Sequence, residues 1–130
     1  NDLPEKNQEL IKKQILNLRL MVSGSDALLP NTLKQWETIT GHVLLERYGM
    51  TEVGMALSNP LKGNRIPGFV GNPLPGVQTR ICSIDLDTNQ NPVSLDVEVL
   101  PGDEGELQIK GENVFLEYWD FSHLTVTLVP

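Results

Sequence analysis

The segment Tyr48-Gly49-Met50-Thr51-Glu52 carries the residue types that a bound phosphate and its metal ion need. The glycine lets the backbone approach a bound group, Thr51 can donate a hydrogen bond to a phosphate oxygen, and Glu52 can hold a hard cation. The alternative is a helix that starts after a turn, with Thr51 as its N-cap and Glu52 in its first turn. The segment alone favours the helix start, so the choice depends on its surroundings.

Two predicted strands position this segment and a second candidate loop. Leu18 to Ser23 predicts a largely buried strand that enters the loop Gly24-Ser25-Asp26-Ala27, and His42 to Tyr48 predicts the next strand. A helix from about Pro30, capped by Gly41, is expected between them. This order predicts a parallel pair of strands, whose carboxyl ends place both loops at one edge of the sheet.

The rest of the chain predicts a different architecture. Residues 59–76 contain four prolines and predict an irregular connection without a regular element. Val77 to Ile84 and Gly105 to Lys110 alternate as strands, and two turn segments, Asp87 to Asn91 and Pro101 to Gly105, lie between them. A small antiparallel β unit is therefore expected. The expected portions of this α/β chain are a parallel βαβ portion (1–58), the connection with the antiparallel β unit (59–120) and an atypical tail (121–130).

Four segments occur in the order of a known enzyme superfamily. They are VSGSDALLP (22–30), RYGMTE (47–52), GFVGNPLPGVQTRI (68–81) and GELQIKGENVFLEYW (105–119). They resemble the SGGAPL, YGxTE, GxVGxPLPG and GEIxxRGxxVFxGYW motifs of acyl-adenylate-forming enzymes, which include acyl-CoA synthetases, luciferases and peptide-synthetase adenylation domains. Within this superfamily, RYGMTE most closely resembles the malonyl-CoA synthetases, including mitochondrial ones of animals. The resemblance favours the nucleotide-site interpretation over the helix start.

The resemblance also implies a fold and a reaction. The chain would be part of the large N-terminal domain of an acid–thiol ligase that is located in mitochondria and serves fatty acid metabolism. Such an enzyme converts a small carboxylic acid, here expected to be malonate, and ATP to an acyl-adenylate and pyrophosphate, and coenzyme A then displaces AMP. Mg²⁺ is the implied metal ion. The remaining parts of the full-length enzyme are the implied protein partners.

Roles for the matched residues follow from the same resemblance. Thr51 at the α-phosphate and Glu52 as the Mg²⁺ ligand would act in catalysis. The loop Ser25-Asp26-Ala27 would border the adenine and the acyl pocket, although the family has Gly-Ala-Pro there, so a carboxylate stands where small neutral residues are usual. The residues implied in nucleotide binding are Ser25, Asp26, Ala27, Tyr48, Gly49, Met50 and Thr51.

Arg47 is the candidate residue for substrate choice. A dicarboxylate such as malonate leaves a second carboxylate in the pocket, and this group must be paired because its desolvation is costly. A guanidinium beside the nucleotide motif can pair it. The alternative role for Arg47 is an ion pair at the surface or between domains.

Charge and composition argue against other classes of protein. Residues 1–80 hold nine Lys or Arg against seven acids, and residues 81–130 hold one Lys against ten acids, so no nucleic-acid partner is expected. No apolar run reaches the roughly 20 residues of a membrane span. Cys82, the single cysteine, is expected to be a buried thiol. Trp36 is expected in the core, Tyr118 and Trp119 are expected to be packing residues, and His42 and His123 are expected to have structural roles.

Two alternatives to a malonate enzyme stay open. A medium- or long-chain fatty acyl-CoA synthetase matches the same motifs, and a truncated, non-catalytic form would have a binding role instead. The family's lysine-containing phosphate loop and its TGD motif do not occur in these 130 residues. We therefore expect the isolated chain to be catalytically incomplete.

Overall fold

A computed structural model describes residues 5–119 of the protein. Its helices and strands are α1 (Glu5–Ile15), β1 (Val22–Ser23), α2 (Pro30–Thr40), β2 (Leu45–Met50), β3 (Gly54–Ser58), β4 (Asn72–Pro73), β5 (Gln78–Leu86), β6 (Pro92–Glu98) and β7 (Glu106–Lys110). The predicted α/β class is confirmed. The expected atypical tail, with His123, lies outside the described residues.

The described residues fall into two units. Residues 5–51 and 55–74 belong to the first unit, and residues 52–54 and 75–119 belong to the second. The division into 1–58 and 59–120 concerns portions of an enzyme domain and stays a prediction.

The first unit contains the predicted parallel pair of strands. β1 and β2 run parallel, with Val22 opposite Leu45 and Ser23 opposite Glu46. The helix α2 connects them, and the sheet has the order β1-β2-β3-β4. The buried apolar side chains of this unit are Leu33, Leu44, Leu45, Ala56 and Leu57. The βαβ portion expected from the sequence is therefore confirmed.

The helix α2 begins and ends where the sequence predicts. Pro30 occupies its first turn, and Gly41, with a φ of 77°, ends it by donating its N–H to the Glu37 carbonyl oxygen at 2.8 Å. Leu33 is buried, whereas Trp36 is half-buried. The core role predicted for Trp36 is thus met only in part.

The strand predicted over Leu18 to Ser23 is shorter and more exposed than expected. Only Val22–Ser23 is strand, and the side chains of Leu18 and Val22 are 50% and 40% exposed. Within residues 5–119, β1 lies at the edge of its sheet with a hydrogen-bonded neighbour on one side only, so it is less covered than a central strand. β2 begins at Leu45 rather than at His42. His42 places Nε2 2.9 Å from the Ile15 carbonyl oxygen, which fits the structural role expected for it.

The connection over residues 59–76 was predicted to lack regular structure, and that prediction is wrong at one place. Asn72–Pro73 forms β4, which pairs antiparallel with β3, with Leu57 opposite Pro73. The preceding Gly71 has a φ of 102°, and a Cβ on it would overlap the Ser58 carbonyl group. Only glycine tolerates both conditions, so this glycine permits the close approach of the connection to β3.

The second unit contains the predicted antiparallel sheet, with the order β6-β5-β7. Its central strand, β5, carries Cys82, whose side chain is fully buried, as expected. The strand β6 (Pro92–Glu98), which lies between the two predicted turns, was not predicted. The antiparallel architecture is nevertheless confirmed.

The turn between β5 and β6 is built around Asp87. Its Oδ1 accepts the backbone N–H groups of Asn91 at 2.8 Å and Asn89 at 2.7 Å. The hydrogen bonds from Asn91, together with the one from Asn89, lower the pKa of Asp87 below its usual value of 3.8. An ionised Asp87 therefore stabilises the turn that the sequence predicts.

Candidate functional site

Strand β2 changes from buried to more exposed residues along its length. Leu45 and Glu46 are buried, with 5% and 7% of their surface exposed, whereas the following Arg47 is exposed and Tyr48 is half-buried. Within residues 5–119 Arg47 forms no ion pair, and both roles considered for it stay predictions.

The loop after β1 lies next to Arg47. A Cβ placed on Gly24 would be 3.2 Å from the Arg47 carbonyl oxygen and 3.9 Å from its Cγ. The exposed residues Ser25, Asp26 and Ala27 follow directly. Parallel pairing of β1 with β2 thus brings the loop Gly24-Ser25-Asp26-Ala27 beside Arg47, as the order of the elements predicts.

The Asp26 carboxylate forms a hydrogen bond within its own loop. Its Oδ1 accepts the N–H of Ala27 at 2.7 Å, and Ser25 adopts a left-handed backbone with a φ of 73°. Both features shape a tight turn. The aspartate that departs from the family pattern therefore has a local structural partner in this chain.

Glu46 anchors the same loop, although it was not predicted as a site residue. Its Oε1 accepts the N–H of Leu28 at 3.1 Å, and its carbonyl oxygen accepts the N–H of Asn59 at 2.9 Å. Its Oε2 is buried and has no hydrogen-bond partner within residues 5–119. An acid directly after two leucines, on the inward side of a strand, is the sequence signal that points to it.

No helix starts at Thr51. Residues 51–53 form a turn that leads into β3 at Gly54, so the helix-start interpretation of the YGMTE segment is wrong. Thr51 and Met50 are exposed, and the Tyr48 hydroxyl donates to the Met50 sulfur at 3.3 Å. The Thr51 side chain, directly after the first unit's β2, is therefore accessible to solvent.

Glu52 belongs to the second unit, where it is held by a distant segment. The Phe115 N–H donates to the Glu52 carbonyl oxygen at 2.8 Å, and the Tyr118 hydroxyl donates to the Glu52 carboxylate at Oε1. Tyr118 was expected only to pack, and it does pack edge-on against Phe115 with 4.8 Å between ring centroids. Trp119 is 89% exposed, contrary to the packing role expected for it.

A cavity of about 530 Å³ in the first unit does not coincide with these residues. It lies at the amino ends of β1 and β2, where Met21, Val43 and Arg65 are among its lining residues. Arg65 donates to the carbonyl oxygens of Pro60 and Leu61, at 3.2 and 3.0 Å, and to that of Val43. None of the predicted site residues lines this cavity, so we place the candidate site at the opposite, carboxyl ends of the strands.

Two features are absent from the part of the chain that the structure describes. No group of three or more His, Cys, Asp or Glu side chains there could hold a metal ion by itself. No helix there has the length and apolar character needed to cross a membrane.

Residues 1–119 match the family described as AMP-binding enzyme. The chain therefore belongs to the AMP-binding enzyme family, in agreement with the motifs in its sequence. It is 54% identical over 113 residues to a mitochondrial malonate–CoA ligase, ACSF3, of Bos taurus, and 48% identical over 108 residues to a malonate–CoA ligase of Arabidopsis thaliana.

These alignments cover 79% and 83% of this chain but only 19% and 16% of the two relatives. Among solved structures, ATP-bound MatB from Rhodopseudomonas palustris is similar, with a TM-score of 0.76 and 43% identity over 89% of this chain and 21% of that protein. The chain thus spans 16–21% of the length of these relatives.

Proposed function

We propose that this chain is part of a malonate–CoA ligase. In the first step, a malonate oxygen attacks the α-phosphorus of ATP and the bond to pyrophosphate breaks. In the second step, the thiol of coenzyme A attacks the acyl carbon of the adenylate and AMP leaves. The observation that carries the proposal is the 54% identity to a malonate–CoA ligase across the segments that hold the candidate residues.

The exposed edge of the first unit would bind the nucleotide. Thr51 donates a hydrogen bond to the α-phosphate, and the residues Tyr48, Gly49 and Met50 border the adenine side. The loop Ser25-Asp26-Ala27 borders the adenine and the acyl group. The exposure of Met50, Thr51 and the loop Ser25-Asp26-Ala27 near the ends of β1 and β2 supports this proposal.

Glu52 would supply the protein ligand to Mg²⁺. One carboxylate fits this ion, because Mg²⁺ is usually held by one or two carboxylates while phosphate oxygens and waters complete its shell. When bound, Mg²⁺ neutralises negative charge that develops on the phosphates. Glu52 is half-buried and ordered by Tyr118, which supports a role as an oriented ligand.

Arg47 would select the dicarboxylate. Its exposed side chain beside Gly24 is available to a substrate carboxylate, and a guanidinium pairs such a group with two parallel hydrogen bonds. By analogy with the ACSF3 relatives, we further propose that the complete enzyme acts in mitochondria.

The complete enzyme that contains this chain should be tested with ATP, Mg²⁺, coenzyme A and one of three acids: malonate, acetate or octanoate. We expect pyrophosphate and a coenzyme A thioester with malonate and much less of both with acetate and octanoate. Preference for octanoate would instead identify a fatty acyl-CoA synthetase. ATP binding without pyrophosphate release for any acid would overturn the proposal.

The isolated 130-residue chain should be assayed in parallel. We expect it to form no acyl-CoA, because groups from only part of the family's length cannot position both phosphates and thiol. Malonate-dependent thioester above a no-acid control would refute this expectation.

A further inference from the structure

We propose that Tyr118 is a positioning residue for the Glu52 carboxylate and thereby sets the affinity of the site for its divalent cation. This inference rests on the proposed function, because it takes Glu52 as the cation ligand. Tyr118 itself touches neither the cation nor the nucleotide in this proposal. Its hydroxyl acts through Glu52.

Three contacts join the turn at Glu52 to the segment that ends at Tyr118. The Tyr118 hydroxyl donates to Glu52 Oε1, and the Phe115 N–H donates to the Glu52 carbonyl oxygen at 2.8 Å. The Asn113 side-chain amide donates to the Val53 carbonyl oxygen at 2.6 Å. Backbone and side chain of the same turn are therefore fixed from one segment, 66 residues away in sequence from Glu52 to Tyr118.

The tyrosine is in turn held by an aromatic neighbour. The rings of Phe115 and Tyr118 meet edge to face at 79°, with 4.8 Å between their centroids, although the Tyr118 side chain is 41% exposed. Such an arrangement is favourable for aromatic pairs and restricts where the hydroxyl can lie. The donor therefore comes from a ring whose position does not depend on the hydrogen bond alone.

The contact leaves half of the carboxylate for a ligand. The Tyr118 hydroxyl donates to Glu52 Oε1. Within residues 5–119, Oε2 of Glu52 accepts no hydrogen bond. A donor on one oxygen fixes the rotation of the carboxylate plane, so the other oxygen is oriented before the cation arrives. Hydrogen bonds of this kind to metal-binding side chains commonly change metal affinity by about tenfold or more when removed.

The test uses the complete enzyme with Tyr118→Phe, which removes the hydroxyl and keeps the ring. The half-saturating Mg²⁺ concentration for malonate-dependent pyrophosphate release should rise about tenfold, while the rate at saturating Mg²⁺ changes far less. A readout without turnover is the binding of Mn²⁺ to the enzyme–ATP complex without acid, followed by the loss of the free-ion paramagnetic resonance signal. The affinity of the Tyr118→Phe variant for Mn²⁺ should fall by a similar factor.

Two further variants separate positioning from a general structural effect. Glu117→Gln removes a neighbouring exposed carboxylate from the same segment and should leave the Mg²⁺ and Mn²⁺ titrations as in the wild type. In a Glu52→Gln background, adding Tyr118→Phe should have no further effect, because the group that it positions is already neutral.

Each outcome decides the matter. An unchanged cation titration in Tyr118→Phe, or a fall in melting temperature and rate without a shift in that titration, overturns the positioning role. Equal shifts in Tyr118→Phe and Glu117→Gln overturn it as well. If the wild type releases no pyrophosphate with malonate but its Mn²⁺ binding still depends on Tyr118, the proposed function fails and the positioning role stands.

Discussion

Glu46 and Glu52 stand six positions apart in the sequence, yet the two units use them differently. In the first unit, Glu46 is 7% exposed and accepts a backbone N–H from the loop after β1. In the second unit, Glu52 is half-buried and accepts a side-chain hydroxyl from Tyr118. A carboxylate that is closed off from solvent serves its own fold, whereas one that is partly open and oriented can serve a ligand. The comparison separates a carboxylate that anchors a loop from one that we propose as a cation ligand.

The strongest test of this comparison is Glu52→Gln in the complete enzyme. The change keeps the size of the side chain and removes the charge that a hard cation requires, so malonate-dependent pyrophosphate release should fall about 100-fold at limiting Mg²⁺. The measurement is the rate of release across a Mg²⁺ titration. Superimposable curves for the variant and the wild type would remove Glu52 from the cation site.

Glu46→Ala tests the other half of the comparison. It leaves the part-buried Leu28 N–H without its acceptor, and leaving a buried donor unsatisfied commonly costs about 1–3 kcal/mol. Exchange of the Leu28 amide hydrogen in the complete enzyme should therefore accelerate about tenfold or more. Glu46→Gln retains an acceptor oxygen and should preserve most of the protection.

The matched control for Glu46 is Glu37→Ala, which alters an exposed acid of α2 in the same unit. It should leave the Leu28 amide as slow as in the wild type. Slow exchange in Glu46→Ala itself would show that Glu46 does not anchor the loop.

Arg47→Ala sharpens the comparison by removing the neighbour of Glu46 on the opposite side of β2. Loss of one partner of a guanidinium–carboxylate pair should lower kcat/KM for malonate about tenfold more than kcat/KM for acetate. The ratio of the two constants before and after the change is the measurement. An equal fall for both acids would assign Arg47 a role other than selection.

Asp87 provides the smallest expected effect, from a half-buried acid whose hydrogen bonds lie within one turn. Its pKa is lowered in the folded protein, so its contribution to stability is present above its unfolded pKa, near 3.8, and is lost as the pH falls through the lower folded value. Asp87→Asn should reduce the acid-induced loss of stability below about pH 4. Melting temperatures of both proteins between pH 5 and pH 3 provide the check, and parallel curves would contradict it.

The sequence predicts the elements whose signals are local. Pro30 and Gly41 mark the ends of α2 directly, and Asp87 marks its turn through neighbours only two and four residues away. The parallel order of β1 and β2 follows because a helix must cross between them. These features depend on residues close in the chain, so one sequence suffices to infer them.

The features that were missed depend on distant partners. Glu46 meets a residue 18 positions away, and Glu52 meets one 66 positions away. The strand β4 exists because Gly71 lets the connection approach β3, which no periodicity in the sequence reveals. Motif resemblance located Glu52 as a candidate ligand, but it could not indicate which side chain holds its carboxylate.

The burial of Cys82 gives the 130-residue chain an internal reporter. Its thiol is fully buried on the central strand of the β6-β5-β7 sheet, and it is the single cysteine of the chain. A thiol reagent can therefore react with the chain only when that sheet opens. The labelling rate therefore reports the opening of the second unit, because the first unit contains no cysteine that could react instead.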